Sequence, residues 1–504
     1  MEIVALRRKI VQGLLMGTTF TNTTHLGSTS LDEGFLLDGK RHTDGAPMEI
    51  YSPGTAKVVG TTYRASAKHA ESAIAAAVRA FEITRKLGGY QRQQILNSVA
   101  SGIEKRREEL ARIMALEAGK PLKAARIEVD RAIFTFNVAG EEAVRVGGEY
   151  LPLDWQASTA GRWGIVRRFP LGPIAAITPF NFPLNLVAHK LAPAMAAGCT
   201  IILKPAPQTP FTALRLAQII EEAGWPTGGL NVLPLSNEDA GLLVSDDRIK
   251  LLSFTGSTAV GWQLKAQAGK KRVVLELGGN AGVMVCADSN LDFAAERCAA
   301  GGFAYAGQTC ISVQRILVED SVYDKFVAAL VPRVQKLTVG DVLDESTDVG
   351  PLINETAARR VLEWIEEAVR DGAQLLCGGT RTGASVTPTI LTNTKPEMRV
   401  NCMEIFGPVV TVEGFTDYGD ALASINRSDF GLQAGLFTRD FMRITRAFET
   451  LEVGGLMIGE VPSFRIDHMP YGGVKDSGLG REGLRYAIEE MTEPRLLAIN
   501  PAGL

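Results

Sequence analysis

Two periodicities divide the chain. From about Ala65 to Ala143, Ala, Leu and Ile recur at spacings of three and four among Arg, Lys and Glu, as in helices with one apolar face. Gly119-Lys120-Pro121 punctuates this stretch as a stop and restart. From Ile174 short apolar runs alternate with amphipathic stretches. The runs are Ile174–Ile177, Thr200–Leu203, Leu230–Leu233, Leu251–Phe254 and Val273–Leu275, and between them lie Leu186–Ala197, Thr212–Ala223, Asp239–Val244 and Thr258–Ala268. Such alternation predicts a Rossmann-like α/β domain, a parallel sheet with helices on both faces. A second alternating set, from Gly282 to about Ile458, predicts a second α/β domain. At the start, Arg7-Arg8-Lys9 precedes a short apolar stretch broken by Gln12 and Gly13. It faintly resembles an export signal but lacks a small-residue cleavage site. The expectation over 1–30 is a flexible extension.

At 504 residues, the chain is long enough for two or three domains. Its formal net charge of −3 leaves no basic field for nucleic acid. No run of 18 apolar residues is present to span a membrane. The six cysteines form no C-x-x-C pair and read as free thiols of a reducing, cytoplasmic setting. The five scattered histidines suggest no metal site. A literal G-x-G-x-x-G at Gly478, Gly480 and Gly483 lacks the strand, helix and downstream acid that a dinucleotide fingerprint needs.

Six stretches carry the candidate chemistry. In chain order they are Thr178-Pro179-Phe180-Asn181-Phe-Pro183, Lys204-Pro205 with Phe254-Thr-Gly256-Ser257-Thr258, Leu275-Glu276-Leu277-Gly278-Gly279-Asn280, Gly307-Gln-Thr309-Cys310, Glu404-Ile-Phe406-Gly-Pro408, and Tyr471-Gly-Gly-Val-Lys475-Asp-Ser-Gly478. Together they resemble the aldehyde dehydrogenase superfamily over roughly residues 35 to 495. The resemblance implies that Cys310 attacks an aldehyde as a thiolate, since a thiol must be partly ionised and reachable to do so. It implies that the Asn181 amide and the Cys310 N–H stabilise the oxyanion, and that Glu276 activates water to hydrolyse the thioester. Such a base needs a raised pKa, and the flanking Leu275 and Leu277 suit that. Glu276 taken alone reads as a surface strand-end acid, and Asn181 as a turn residue.

For the cofactor, NAD or NADP, the resemblance implies Thr178, Pro179, Phe180, Asn181, Lys204, Pro207, Gly256, Ser257, Glu276, Leu277, Gly278, Glu404 and Phe406. Ser257 opens a helix whose N-terminus suits a pyrophosphate, while Lys204 and Glu404 would hold ribose hydroxyls. Lys204 is also placed in the catalytic group with Cys310, Glu276 and Asn181. Many NAD-preferring relatives carry a glutamate where this chain has Pro207, so NADP use is expected as well. Phe180 stands where many relatives have tryptophan, and Met403 where glutamate is common. Lys204 also reads as a solvated strand end and Phe406 as ordinary core.

The segment Val461-Pro-Ser-Phe464-Arg465-Ile-Asp-His468-Met-Pro470 resembles the lactaldehyde, phosphonoacetaldehyde and non-phosphorylating glyceraldehyde-3-phosphate group. Arg131, Asn181, Thr309, Arg465 and His468 are the candidate substrate contacts, suited to a small anionic or hydroxylated aldehyde. Equally, Arg131, Arg465 and His468 could simply brace their own elements. The expected division is a cofactor domain over 31–150 and 170–277, a catalytic domain over 278–480, and an oligomerisation arm over 151–169 and 481–504 that makes a homodimer or homotetramer. Two alternatives remain: a CoA-acylating semialdehyde dehydrogenase, a class that generally lacks the glutamate matched by Glu276, and a catalytically retired structural member.

Overall fold

The computed structural model describes residues 31–504. The extension expected over 1–30 lies outside the described residues. The helical region resolves into Ala67–Thr84, Gly89–Lys105, Arg107–Ala118 and Leu122–Ala143. Gly119 ends the third with φ at 66°, a left-handed conformation that glycine adopts without strain. The restart follows at Leu122, with Pro121 at the cap.

The alternating runs form an eight-stranded sheet. Its order is Gly478–Leu479, Arg272–Glu276, Leu251–Thr255, Ile174–Ile177, Ile201–Lys204, Leu230–Val232, Phe35–Leu37, Lys40–His42. The five central strands run parallel, and nearly every residue in them is buried, which is why they read as continuous apolar runs. The first of the five in the chain, Ile174–Ile177, sits between Leu251–Thr255 and Ile201–Lys204. Successive connections therefore leave it in opposite directions, and a crevice opens at the C-terminal strand ends, the usual ligand position in such sheets.

A second sheet has seven strands: Gln374–Cys377, Thr389–Thr392, Val409–Phe415, Val313–Glu319, Ala281–Val285, Gln433–Phe437 and Gly455–Ile458. All pair in parallel except the first. Each sheet has its own apolar core. A third, antiparallel sheet joins Gly148–Pro152, Trp163–Pro170 and Thr492–Ile499.

Two expected boundaries need correction. Gly478–Leu479, assigned from the sequence to the catalytic domain, pairs with Leu275 and Glu276 at the edge of the first sheet. Leu484–Glu490, assigned to the arm, is a helix whose Leu484 and Ile488 are buried in the first core. Apolar burial decides both placements, and neither segment is long enough to show a period.

Candidate active site

Cys310 is presented by a strained turn. Tyr305, Ala306 and Gly307 have φ of 49°, 53° and 68°, and the first two are non-glycine residues that hold this conformation only when their surroundings enforce it. The Tyr305 hydroxyl donates to the Ala118 carbonyl at 2.6 Å, and the buried Gln308 amide oxygen accepts from the Ile353 N–H at 2.9 Å. Lys120 Nζ lies over the rings of Phe182 and Tyr305, 3.7 and 4.4 Å from their centres. Gly279 passes directly beneath the turn, where a Cβ would stand 2.1 Å from the Cys310 carbonyl oxygen. This close approach brings the end of the strand that carries Glu276 against Cys310.

The half-buried Cys310 thiol lies 3.1 Å from the Tyr471 hydroxyl. Burial pushes it up to about 12, with the Tyr471 hydrogen bond acting in the opposite direction, so the resting group is a neutral thiol. Among the described residues, the Cys310 N–H has no hydrogen-bond partner. Asn181 reaches the same turn but donates through Nδ2 to the Gln308 carbonyl at 2.9 Å. That bond uses one of the two Nδ2 hydrogens and leaves the other for a further acceptor; among the described residues, Oδ1 is buried without a partner.

Glu276 is 3% exposed, and among the described residues neither carboxyl oxygen has a hydrogen-bond partner. Burial, reinforced by repulsion from Glu482, raises its pKa well above the carboxylate range. Glu482 is buried too, yet Lys190, His189 and Arg465 hold it below the usual range. Lys190 Nζ stands 3.3 Å from Glu482 and donates to Ser253 Oγ at 2.9 Å. Two neighbouring buried acids are thus shifted in opposite directions. The sequence reading missed Lys190 and Glu482, and it gave Tyr471 a place in a motif but no role. Lys190 had a signal, a lysine among Leu, Val and Ala in a mainly apolar helix that is buried throughout. Glu482 had none.

Several cofactor candidates stand at or just after the C-terminal ends of the parallel strands: Thr178, Lys204, Gly256 and Leu277. Lys204 ends its strand, buried and, among the described residues, without an ion pair, and burial lowers its pKa. Thr178 Oγ1 is buried and unpartnered beside it. Ser257 caps Thr258–Gln267 with its hydroxyl free, Gly256 precedes it, and Leu277 is buried behind it against Gly261. Pro207 is exposed just beyond Lys204. Glu404 accepts from the Gly279 N–H at 3.0 Å, and burial pushes it up to about 7. A Cβ on Gly278 would meet Glu404 Oε2 at 2.6 Å. Phe406, with φ at 48°, meets Phe180 edge to face, with ring centres 6.0 Å apart. Pro179 lies beside Phe180 in the same half-buried segment. Thr309, Gly279, Glu404 and Phe406 share one narrow cleft.

The substrate candidates fare differently. Arg465 is not free. Its Nη2 bonds Glu482 at 2.9 Å and His189 at 2.7 Å, and its guanidinium lies 3.6 Å from the Tyr471 ring centre. It is a buried brace, because a cation lodged there must be matched by carboxylates. Arg131 is partly exposed and donates to the buried Asp467 at 2.7 Å. Asp467 is held below its usual range chiefly by His189 and the two arginines. His468 is exposed, with its ring edge-on to Phe134.

The aldehyde dehydrogenase family model matches residues 40–497. The chain belongs to the aldehyde dehydrogenase family. A 3-sulfolactaldehyde dehydrogenase of Priestia megaterium is 42% identical over 468 residues, spanning 93% of this chain and 98% of that one. The crystal structure of aldehyde dehydrogenase 21 from Physcomitrella patens, in complex with the reaction product succinate, aligns with a TM-score of 0.93 at 42% identity and covers 94% and 99% of the two chains. The glyceraldehyde-3-phosphate dehydrogenase GapN of Methanocaldococcus jannaschii, complexed with NADP, aligns with a TM-score of 0.86 at 39% identity, covering 90% and 98%. This aldehyde dehydrogenase therefore has the fold expected of it, and its six motifs fall within the matched span.

Proposed function

We propose that this aldehyde dehydrogenase oxidises a small anionic or hydroxylated aldehyde to the carboxylic acid through Cys310, using NAD or NADP. The observation that carries the reading is the convergence of the Cys310 turn with a buried, unpaired Glu276 across Gly279. The thiol gives its proton to solvent water, and Sγ bonds to the aldehyde carbon as the carbonyl π pair moves onto oxygen. The resulting oxyanion meets the free Cys310 N–H and the second Nδ2 hydrogen of Asn181, the first being held by the Gln308 carbonyl. A nicotinamide dinucleotide held by Lys204, Ser257 and Glu404 would supply the hydride acceptor, and loss of the hydride from the aldehyde carbon leaves a thioester on Cys310. Glu276 then takes a proton from water, the water oxygen bonds to the acyl carbon, and the acid departs as the thiol is restored.

The crevice fits a dinucleotide. Ser257 and its helix N-terminus suit a pyrophosphate, Lys204 and Glu404 suit ribose hydroxyls, and Thr178 Oγ1 is a buried hydroxyl without a partner. Pro207 brings no carboxylate against a 2′-phosphate, in keeping with the NADP bound to the archaeal relative. For the substrate, Arg131 and His468 remain the accessible polar groups. The sulfolactaldehyde and succinate named for relatives are small anions of the proposed class. The arm supports a homodimer or homotetramer.

The test is a panel of small aldehydes assayed with each cofactor, with and without CoA, on wild type and Cys310→Ala. Turnover without CoA is expected in wild type, and none in Cys310→Ala, which should still bind cofactor. Retained turnover in the variant would remove Cys310 from the mechanism, and an absolute need for CoA would favour the acylating alternative.

A further inference from the structure

A second concave site lies at the root of the arm and shares no residue with the crevice. Its walls are the turn between helices Ala67–Thr84 and Gly89–Lys105, the end of strand Trp163–Pro170, Ala197 and Thr492. The cavity is about 420 Å³, within the ordinary range for small-molecule sites. Five cations line it: Arg85, Lys86, Arg92, Arg167 and Arg168. No carboxylate does, although the chain as a whole is net negative at −3.

The lining is partly built in. Arg92 Nη1 donates to the Ala197 carbonyl at 3.2 Å, while its Nε is buried with no partner. Gly198 makes room for that guanidinium, since a Cβ there would lie 2.9 Å from Arg92 Nη1. Arg168 is held by Thr492 Oγ1 and the Glu489 carbonyl, both at 2.8 Å. Arg167 lies 5.4 Å from the Phe169 ring centre. Arg85 has one exposed acid nearby, Glu82 at 3.4 Å. Among the described residues, the other four cations have no ion pair. Gly88 and Gly89 open the 17-residue helix into the same cavity, and the Gly89 and Tyr90 amides have no hydrogen-bond partner. Cations gathered in this way repel one another until an anion joins them. A helix N-terminus with guanidinium forks is the usual protein setting for phosphate.

We propose that this cavity binds a small phosphate-bearing anion that ties the arm to the body of the molecule. The experiment is thermal unfolding of the full-length protein with inorganic pyrophosphate or glycerol 3-phosphate, against potassium chloride of equal ionic strength. The comparison is Lys86→Glu combined with Arg167→Glu, both exposed positions whose exchange leaves the cores untouched. An undiminished upshift with NADP shows that the variant is folded with its crevice intact. At equal probe concentration, wild type should gain more than the variant, and more than with chloride. The probe with the larger wild-type-specific gain tells whether a free anion or an ester is the occupant. An equal upshift in wild type and variant, or none beyond chloride with either probe, overturns the proposal.

Discussion

Glu276 and Glu482 are both buried, yet the first has no hydrogen-bond partner and the second is surrounded by cations. Burial without a partner therefore raises the Glu276 pKa well above the carboxylate range, and the group becomes a base only above that raised pKa. Thioester hydrolysis should accordingly rise with pH through that value. Glu276→Gln should abolish the rise and slow hydrolysis more than hydride transfer. Stopped-flow traces would show a burst of reduced cofactor before a slow steady state; normal steady-state turnover with an unchanged pH profile would exclude Glu276 as the base. At the other end of the crevice, Pro207 is exposed beyond Lys204. Pro207→Glu places a carboxylate where a 2′-phosphate would lie, and repulsion of that kind in a half-wet site should lower kcat/KM for NADP relative to NAD by about tenfold or more. A ratio that does not move would place the adenosine ribose elsewhere. Cys310, Glu276 and Asn181 were legible because each lies in a short run of characteristic residues. Arg465 stayed open between substrate contact and brace, because nothing local in the sequence distinguishes a guanidinium facing a tunnel from one stacked on Tyr471 and bonded to Glu482.

The elements read well wherever burial leaves a long signature. Ile174–Ile177 is identical in sequence pattern and structure, and the run expected over Thr200–Leu203 is the strand Ile201–Lys204. The helix expected over Asp239–Val244 shrinks to Gly241–Ser245. Phe35–Leu37, Lys40–His42 and Gly478–Leu479 left no usable trace, since strands of two or three residues are fixed by the neighbour they pair with. Connections between elements were equally invisible. Glu128, on Leu122–Ala143, accepts from the Leu184 and Asn185 N–H groups at 2.9 and 3.0 Å. It thereby caps the helix that follows the Asn181 segment. It also pairs with Lys120, both side chains being 1% exposed. Glu128→Ala leaves a buried ammonium unmatched and two amides bare, at about 3–5 kcal/mol. A clear fall in the denaturation midpoint is expected, with reduced kcat because the Asn181 segment loses its anchor. An unchanged midpoint would show that the pair contributes nothing.

At the scale of the whole molecule, the arm is the part that cannot satisfy itself. Its two outer strands, Gly148–Pro152 and Thr492–Ile499, present unpaired edges. Tyr150, Ile165, Leu496 and Leu497 are 68%, 42%, 56% and 58% exposed. The seven-stranded sheet also ends on an open edge, Gly455–Ile458, with Ile458 exposed. Long apolar edges of this kind invite pairing with another chain, and two such edges on one molecule allow reciprocal pairing about a two-fold axis. The expected state is a dimer or a dimer of dimers, read by sedimentation velocity at micromolar protein. Leu496→Lys with Leu497→Lys places two charges on the arm without touching either apolar core. The variant should sediment as a smaller species while its far-ultraviolet circular dichroism stays unchanged. A monomeric wild type would defeat the assembly reading, and an unshifted variant would place the interface away from Thr492–Ile499. Activity measured on the dissociated variant would then show whether the Cys310 site, built within one chain, works without a partner.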